Sequence, residues 1–233
     1  LFGTEWRPLN DKFGIFPMII GSLYVTAGAI AMGVPVGVMC AVFMARYCPA
    51  RLYKVLRPAV DLLAGIPSVV YGFFGLVVIV PAVRQLFGGG KSVFTAALLL
   101  AIMILPTIIS ISEAALRSVP QSYYEGALAL GATKERAIFG VSLPAARSGV
   151  SAGIILGIGR AIGETTAIVM IAGNQPIIPN SIFSGVRTLT TNIILEMGYA
   201  QDLHREALIA TAAVLFIFVL LINLLFSALK KTS

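Results

Sequence analysis

A chain of 233 residues that is 58% hydrophobic and only 12% charged, with a mean hydropathy of +0.94, is not composed like a water-soluble globule, in which roughly 25% of residues carry charge. Its formal charge of +7 would point to nucleic acid in a soluble protein, but beside long apolar runs basic residues mark the cytoplasmic flanks of membrane spans. Cys40 and Cys48 are the only cysteines, which excludes a disulfide framework or a multi-cysteine metal site, and both thiols are expected to be free.

The chain opens at Leu1 without a start methionine, a basic n-region or a cleavage site, so no signal peptide is visible in it. After a polar lead-in, 1–16, no charged residue occurs between Lys12 and Arg46. About 20 apolar residues cross a hydrocarbon core of roughly 30 Å as a helix, so the first span is placed at 17–45. Further runs predict spans at 62–83, 93–116, 148–173 and 207–229. They lack the short polar/apolar alternation of a membrane barrel. The fold class is therefore an all-α polytopic membrane protein, with one membrane domain over 17–229 and a tail, 230–233.

Assigning alternate loops to opposite sides places ten Lys and Arg residues in one set (Arg46, Arg51, Lys54, Arg57, Arg117, Lys134, Arg136, Arg147, Lys230, Lys231) and six in the other. The richer set is assigned to the cytoplasm. Residues 1–16 and the long 174–205 loop then lie outside, and 120–146 and the C-terminus inside.

In chain order, Arg57 and Asp61 stand one helical turn apart at a membrane edge and predict a partly exposed ion pair. Pro67 opens the second span, as a tolerated first-turn proline or as a break lining a cavity. The run Gly88, Gly89, Gly90, Lys91, Ser92 ends like a Walker A loop, but Gln85 stands where that pattern requires Gly, so no ATP site is expected here. In the 120–146 loop, Ser122 and Glu125 fit a capping box. Gly131 suits a left-handed helix end, Thr133 suits the next cap, and Gly140 with Pro144 closes a second short helix. Helix, bend, helix is either a surface elbow on the bilayer interface or a docking element for a cytoplasmic partner.

Gly149, Gly153 and Gly157 lie four apart, followed by Gly159 and Gly163, and predict close helix packing. The Gly157–Gly163 run has one residue too many for a dinucleotide fingerprint and follows no strand. Arg160 and Glu164 lie within the fourth span. At about 1.5 Å per residue from Ser148, Arg160 falls roughly 18 Å along the helix, near the bilayer midplane, where an Arg costs about 2.5–3.5 kcal/mol. Spaced i and i+4, the two side chains share a face and are expected to pair. One reading is a buried pair that fixes helix register. The other is an anion site on a pathway, in which the guanidinium offers bidentate hydrogen bonds to an oxyanion and Thr165 and Thr166 add hydroxyls. His204, the lone histidine, has no evident partners for a zinc site or a catalytic triad.

Glu125, Gly126, Ala127, Gly131, Val141, Leu143 and Pro144 have the spacing of the EAA loop of ABC importer permeases, which these residues resemble throughout. Gly126 for the usual Ala and Val141 for Ile are the departures, the first weakening its helix by up to about 1 kcal/mol. The run from Gly157 to Thr165 resembles the hallmark helix of phosphate-specific permeases. The segments 66–72 and 195–200 are similar to the PstC branch rather than the PstA branch.

The resemblance implies a type I ABC importer permease fold of six spans, so that one span before Leu1 is expected to be absent here. It implies a permease subunit, not itself an enzyme, in the bacterial or archaeal cytoplasmic membrane. Its implied partners are a homologous PstA-like permease, a homodimeric PstB-like ATPase, a periplasmic PstS-like phosphate-binding protein and membrane lipids, with no nucleic acid. No cofactor or metal is expected on this chain; ATP and magnesium belong to the ATPase subunits. The same resemblance assigns Glu125, Gly126, Ala127, Gly131, Leu143 and Pro144 to ATPase coupling, and Arg160, Glu164 and Thr165 to the substrate pathway, with Glu164 positioning Arg160. Competing expectations are a sulfate or molybdate permease, and an ion-coupled secondary carrier, against which the EAA spacing argues. A membrane scaffold whose charged pair only fixes packing, and a membrane-embedded enzyme, which lacks a visible nucleophile–base set, are weaker still.

Overall fold

The computed structural model describes the backbone of residues 3–232 and side chains through Leu224. The lead-in carries a small hairpin: β1 (Trp6–Arg7) pairs antiparallel with β2 (Lys12–Phe13), closed by a 3-10 turn and Asp11 at φ 51°. Helix α1 (Phe16–Val42) carries Pro17 as its second residue, where the missing N–H costs nothing. It continues through a π turn, Phe43–Tyr47, as one 32-residue span.

The second span departs from expectation. Helix α2 (Ala50–Gly65) ends at Ile66, and the apolar span runs instead over Ser68–Phe87 as α3 (Ser68–Phe74), a π turn and α4 (Val80–Phe87). A proline pushes the residue before it out of the helical region. Ile66 accordingly sits at ψ 126°, and Pro67 precedes α3 as an extended residue, so the chain breaks there. Helix α2 packs Tyr53, Leu56 and Val60 against Leu105 and Ile109 of the third span, Val93–Ser118.

Helix α4 closes on Gly88 at φ 79°, and Ser92 accepts the Thr95 N–H at 3.3 Å to cap α5 (Val93–Ser118). The loop-like glycine run is thus a turn followed by a helix cap. Helix α5 is the axis of the bundle, with Leu99, Leu100, Met103, Ile104 and Ile108 fully buried. There follow α6 (Gln121–Ala129), α7 (Lys134–Ala137), a π turn over Ile138–Ser142 and α8 (Leu143–Ala145). The chain then bends by 71° at Ala146 into α9 (Arg147–Gly163). Gly140 and Pro144 do not end the second short helix, because the π turn carries the winding past Gly140 and Pro144 falls in the first turn of α8.

A Cβ at Gly149, Gly153 or Gly157 would lie 2.4 Å from Ala115, 3.1 Å from Ser112 or 2.8 Å from Ile108, so these glycines let α9 approach α5 as expected. Gly159 and Gly163 meet nothing within 4 Å. The fourth span breaks after Gly163 and resumes as α10 (Thr166–Ile171). Within the 174–205 loop, α11 (Leu189–Glu196) starts from a capping box between Thr188 and Thr191. Helix α12 (Asp202–Thr232) begins before the expected 207 and runs past 229. Of the tail, Ser233 lies outside the described residues.

Candidate functional site

The break after Gly163 decides the geometry of the fourth span. Glu164 has left the helix (φ −71°, ψ 125°), so it no longer lies one turn above Arg160, and the expected pair is not formed. Gly is a poor helix former, and the first turn of α10 exposes free N–H groups that a carboxylate satisfies. Glu164 Oε1 accepts the Ala167 N–H at 3.1 Å and so holds the start of α10. Thr165 donates locally, its Oγ1 to the Gly163 carbonyl at 3.2 Å, and Thr166 is the first residue of α10.

Arg160, half-buried, turns to α5, where its Nη1 donates to Thr107 Oγ1 at 3.4 Å. Among the described residues no carboxylate pairs with it. Glu164 instead borders a small cavity whose polar wall is formed by Ser22, Thr26, Thr188 and Thr190. The structure therefore separates the two charges and leaves the guanidinium with one weak neutral partner.

The 120–146 segment is held at its ends and open along its face. Helix α6 buries none of its residues; Glu125 and Gly126 are exposed, Ala127 is half-buried, and Leu130 is 91% exposed. Gly131 takes φ 84°, a conformation Cβ-bearing residues avoid. Thr133 Oγ1 accepts the Arg136 N–H at 3.3 Å. These two features follow the expectation. The Ser122–Glu125 capping box does not, because the helix starts two residues earlier, after Pro120, and puts Ser122 inside the first turn. Leu143 packs on the cluster of Ala41, Val42, Leu116 and Ile138, while Pro144 is exposed.

Two buried carboxylates escape the sequence reading. Glu113, 2% exposed, accepts from Arg57 Nη1 at 3.0 Å and from Arg117 Nε at 2.7 Å, while Arg57 also makes its expected pair with Asp61 at 3.1 Å. Its signal was present: Glu113 is the sole charge in the 93–116 run and stands four residues before Arg117. Glu196 has no such signal. It accepts from Trp6 Nε1 at 2.7 Å, meets His204 Nε2 at 2.8 Å and pairs with Arg187. Arg187 also donates to Asn192 Oδ1 and to the Asn174 carbonyl, both at 3.0 Å. Burial, and then the Glu196 charge, push the Tyr199 phenol above its ordinary range. His204 thus has a carboxylate partner, yet among the described residues no three His, Cys, Asp or Glu side chains gather as a metal site.

Comparison with known proteins extends these observations. The model of the family described as binding-protein-dependent transport system inner membrane component matches residues 33–232. A probable ABC transporter permease protein, YqgH of Bacillus subtilis, is 41% identical over 99% of this chain and 78% of its own length. Phosphate transport system permease proteins PstC of Mesorhizobium japonicum and Haemophilus influenzae are 35% and 34% identical, over 95% and 97% of this chain and 75% and 78% of theirs. Among solved structures, an inward-facing MetNI methionine ABC transporter superposes with a TM-score of 0.77 at 20% identity, covering 98% of this chain and 99% of that one. A bacterial ABC transporter that imports alginate gives 0.70 at 14% identity, over 93% and 78%.

Proposed function

The chain belongs to the binding-protein-dependent transport system inner membrane components and has the fold of a type I ABC importer permease, and on that premise we propose that it is the PstC-type permease of an ATP-driven phosphate importer. The observation that carries the substrate reading is Arg160: a guanidinium inside a span, with Thr107 as its one hydrogen-bond partner and no ion pair among the described residues. A permanent cation in such a place faces a bundle interior or a watery cavity, and its planar donors suit a tetrahedral oxyanion. The PstC relatives point to phosphate as that anion.

In this reading Arg160 meets phosphate during passage. Glu164 and Thr165 belong to the same break, but their part is to fix the start of α10 and the width of the pathway beside it. The segment carrying Glu125, Gly126, Ala127, Gly131, Leu143 and Pro144 faces the cytoplasm and docks on a homodimeric ATPase, which binds ATP and magnesium; this subunit has no ATPase site. A PstA-like permease completes the pathway, and a PstS-like binding protein delivers phosphate on the side of the β1–β2 hairpin. Rigid-body motion between the two permeases gives alternating access in the cytoplasmic membrane of a bacterium or archaeon.

The test is ATP-dependent uptake of labelled phosphate into vesicles carrying the whole importer, with sulfate and molybdate as competitors, for the unaltered chain and Arg160→Ala. Uptake is expected to be phosphate-selective. In the assembled variant it falls by about tenfold or more, the cost of one charge-assisted hydrogen bond of about 1.5–3 kcal/mol. Unchanged uptake in Arg160→Ala would make the residue structural, and preferential competition by sulfate or molybdate would assign a different oxyanion.

A further inference from the structure

The helical segments that lead into the two loops richest in basic residues end in the same way: Arg46 stands three residues before Pro49, and Arg117 three before Pro120. A proline has no N–H to give the carbonyl one turn behind it. Pro120 therefore leaves the Leu116 carbonyl, four residues back, without its helical donor. Pro49 does the same to the Met44 carbonyl, five residues back at the spacing of the π turn; the Cys48 N–H already serves Phe43. Each orphaned carbonyl is taken by the arginine of the other segment. Arg46 Nη2 donates to the Leu116 carbonyl at 2.8 Å, and Arg117 Nη2 to the Met44 carbonyl at 3.0 Å.

The crossing reaches further on both sides. Arg46 Nη1 donates to Gln121 Oε1 at 3.3 Å, and Gln121 is the first residue of α6. Arg117 also bonds Glu113 and lies 4.4 Å over the Tyr53 ring, while Glu113 holds Arg57 of α2. A guanidinium fork serves two acceptors at once, and a cation is favoured at the carbonyl end of a helix. One network thus ties α1, α2, α5 and the root of α6.

We propose that Arg46 and Arg117 form a crossed clasp that makes α6 move with the bundle, so that a push on α6 is delivered to α1 and α2 instead of being absorbed by bending at Val119–Pro120. They are positioning residues for coupling, and this rests on the reading of α6 as the ATPase contact.

The test uses the complete importer in vesicles, with Arg46→Gln, Arg117→Gln, the double variant and Arg46→Lys. Two quantities are read: phosphate moved per ATP hydrolysed, and the distance distribution between spin labels at Lys54→Cys and Ala129→Cys after Cys40 and Cys48 are changed to Ser. In Arg46→Gln, ATP hydrolysis stays within about twofold, phosphate per ATP falls by about fivefold or more, and the distribution widens. Arg46→Lys restores part of both, and the double variant loses less than the product of the single losses, as members of one network do. An unchanged ratio overturns the proposal whatever the distances do. So does a fall in the ratio with the distribution still narrow, since α6 then stays fixed without the clasp. Because the distance needs no substrate, an importer that moves no phosphate sinks the substrate reading alone: widening in Arg46→Gln then still supports the clasp, and no widening removes it.

Discussion

The two ends of the bundle are built on opposite plans. At one end, α6 buries none of its residues and Leu130 stands 91% exposed, while Gly131, Thr133 and Gln121 fix where the segment turns and where it is rooted. At the other, the Glu196 side chain is 7% exposed and gathers Trp6, Arg187 and His204 from three separate stretches of chain. The closed end pairs its charged groups internally; the open end fixes its turns through the backbone and leaves its side chains largely exposed. An element fixed at its ends but bare along its face is prepared for another protein, which is where the proposed ATPase contact falls.

The strongest way to break this comparison is to open the closed end. Removing one member of a buried ion pair leaves the other uncompensated, at a cost of about 3–5 kcal/mol. Glu196→Ala should therefore produce the largest drop in thermal stability of the purified protein, with hydrogen exchange rising in the hairpin and α11. Glu196→Gln should lose less, because its single amide oxygen still accepts from Arg187, although Trp6 then faces the amide NH2. If Glu196→Ala melts like the unaltered chain, the closed end is not held by this carboxylate.

The next effect is at the turn of the open end. Gly131 at φ 84° would force a side chain into the left-handed region, and Gly131→Ala should cost about 1–2 kcal/mol. The strain falls on an exposed elbow, so it should show as loss of ATPase association before loss of folding. Copurification of the ATPase, measured beside the melting temperature, separates the two. A smaller effect on stability, within about 0.5 kcal/mol, is expected for Leu130→Ser, again with weaker ATPase copurification. Equal copurification in Leu130→Ser would mean that the bare face is not the contact.

What could be read in the sequence follows the same division. Gly131 and Thr133 act on neighbours two or three residues away, so their spacing sufficed. The packing of Gly149, Gly153 and Gly157 is legible because residues four apart share one helix face, and without side chains that face lets a neighbouring helix approach closely. The Arg160–Glu164 pair fails because i, i+4 geometry presupposes an unbroken helix, and the break after Gly163 puts Glu164 between the helices, with its carboxylate on the start of α10. At Pro67 the residue type alone admits a first-turn proline or a break, and the extended Ile66 and Pro67 show the break. Glu113 could have been found by applying to 93–116 the argument used for Arg160. Glu196 could not: its bond to Trp6 joins residues 190 positions apart, and no local pattern encodes that closure.

The smallest effect tests how far the closed end depends on its surface. Lys12 Nζ donates to Glu5 Oε2 at 2.7 Å across the hairpin, both side chains about half exposed. That hydrogen bond, then the Lys12 charge and the Arg7 charge, hold the Glu5 carboxyl below the usual glutamate range. A carboxyl lowered on folding stabilises the hairpin fully above its ordinary value, and the contribution is lost as pH falls through the lowered one. Trp6, the single tryptophan, lies in β1 and reports the docking of the hairpin. Its emission should shift on acidification with a midpoint below the usual glutamate range, and Lys12→Met should move that midpoint upward, less so in high salt because the pair is screened. An unmoved midpoint would mean that Trp6 is held through Glu196 alone, so that the closed end owes nothing to the exposed pair above it.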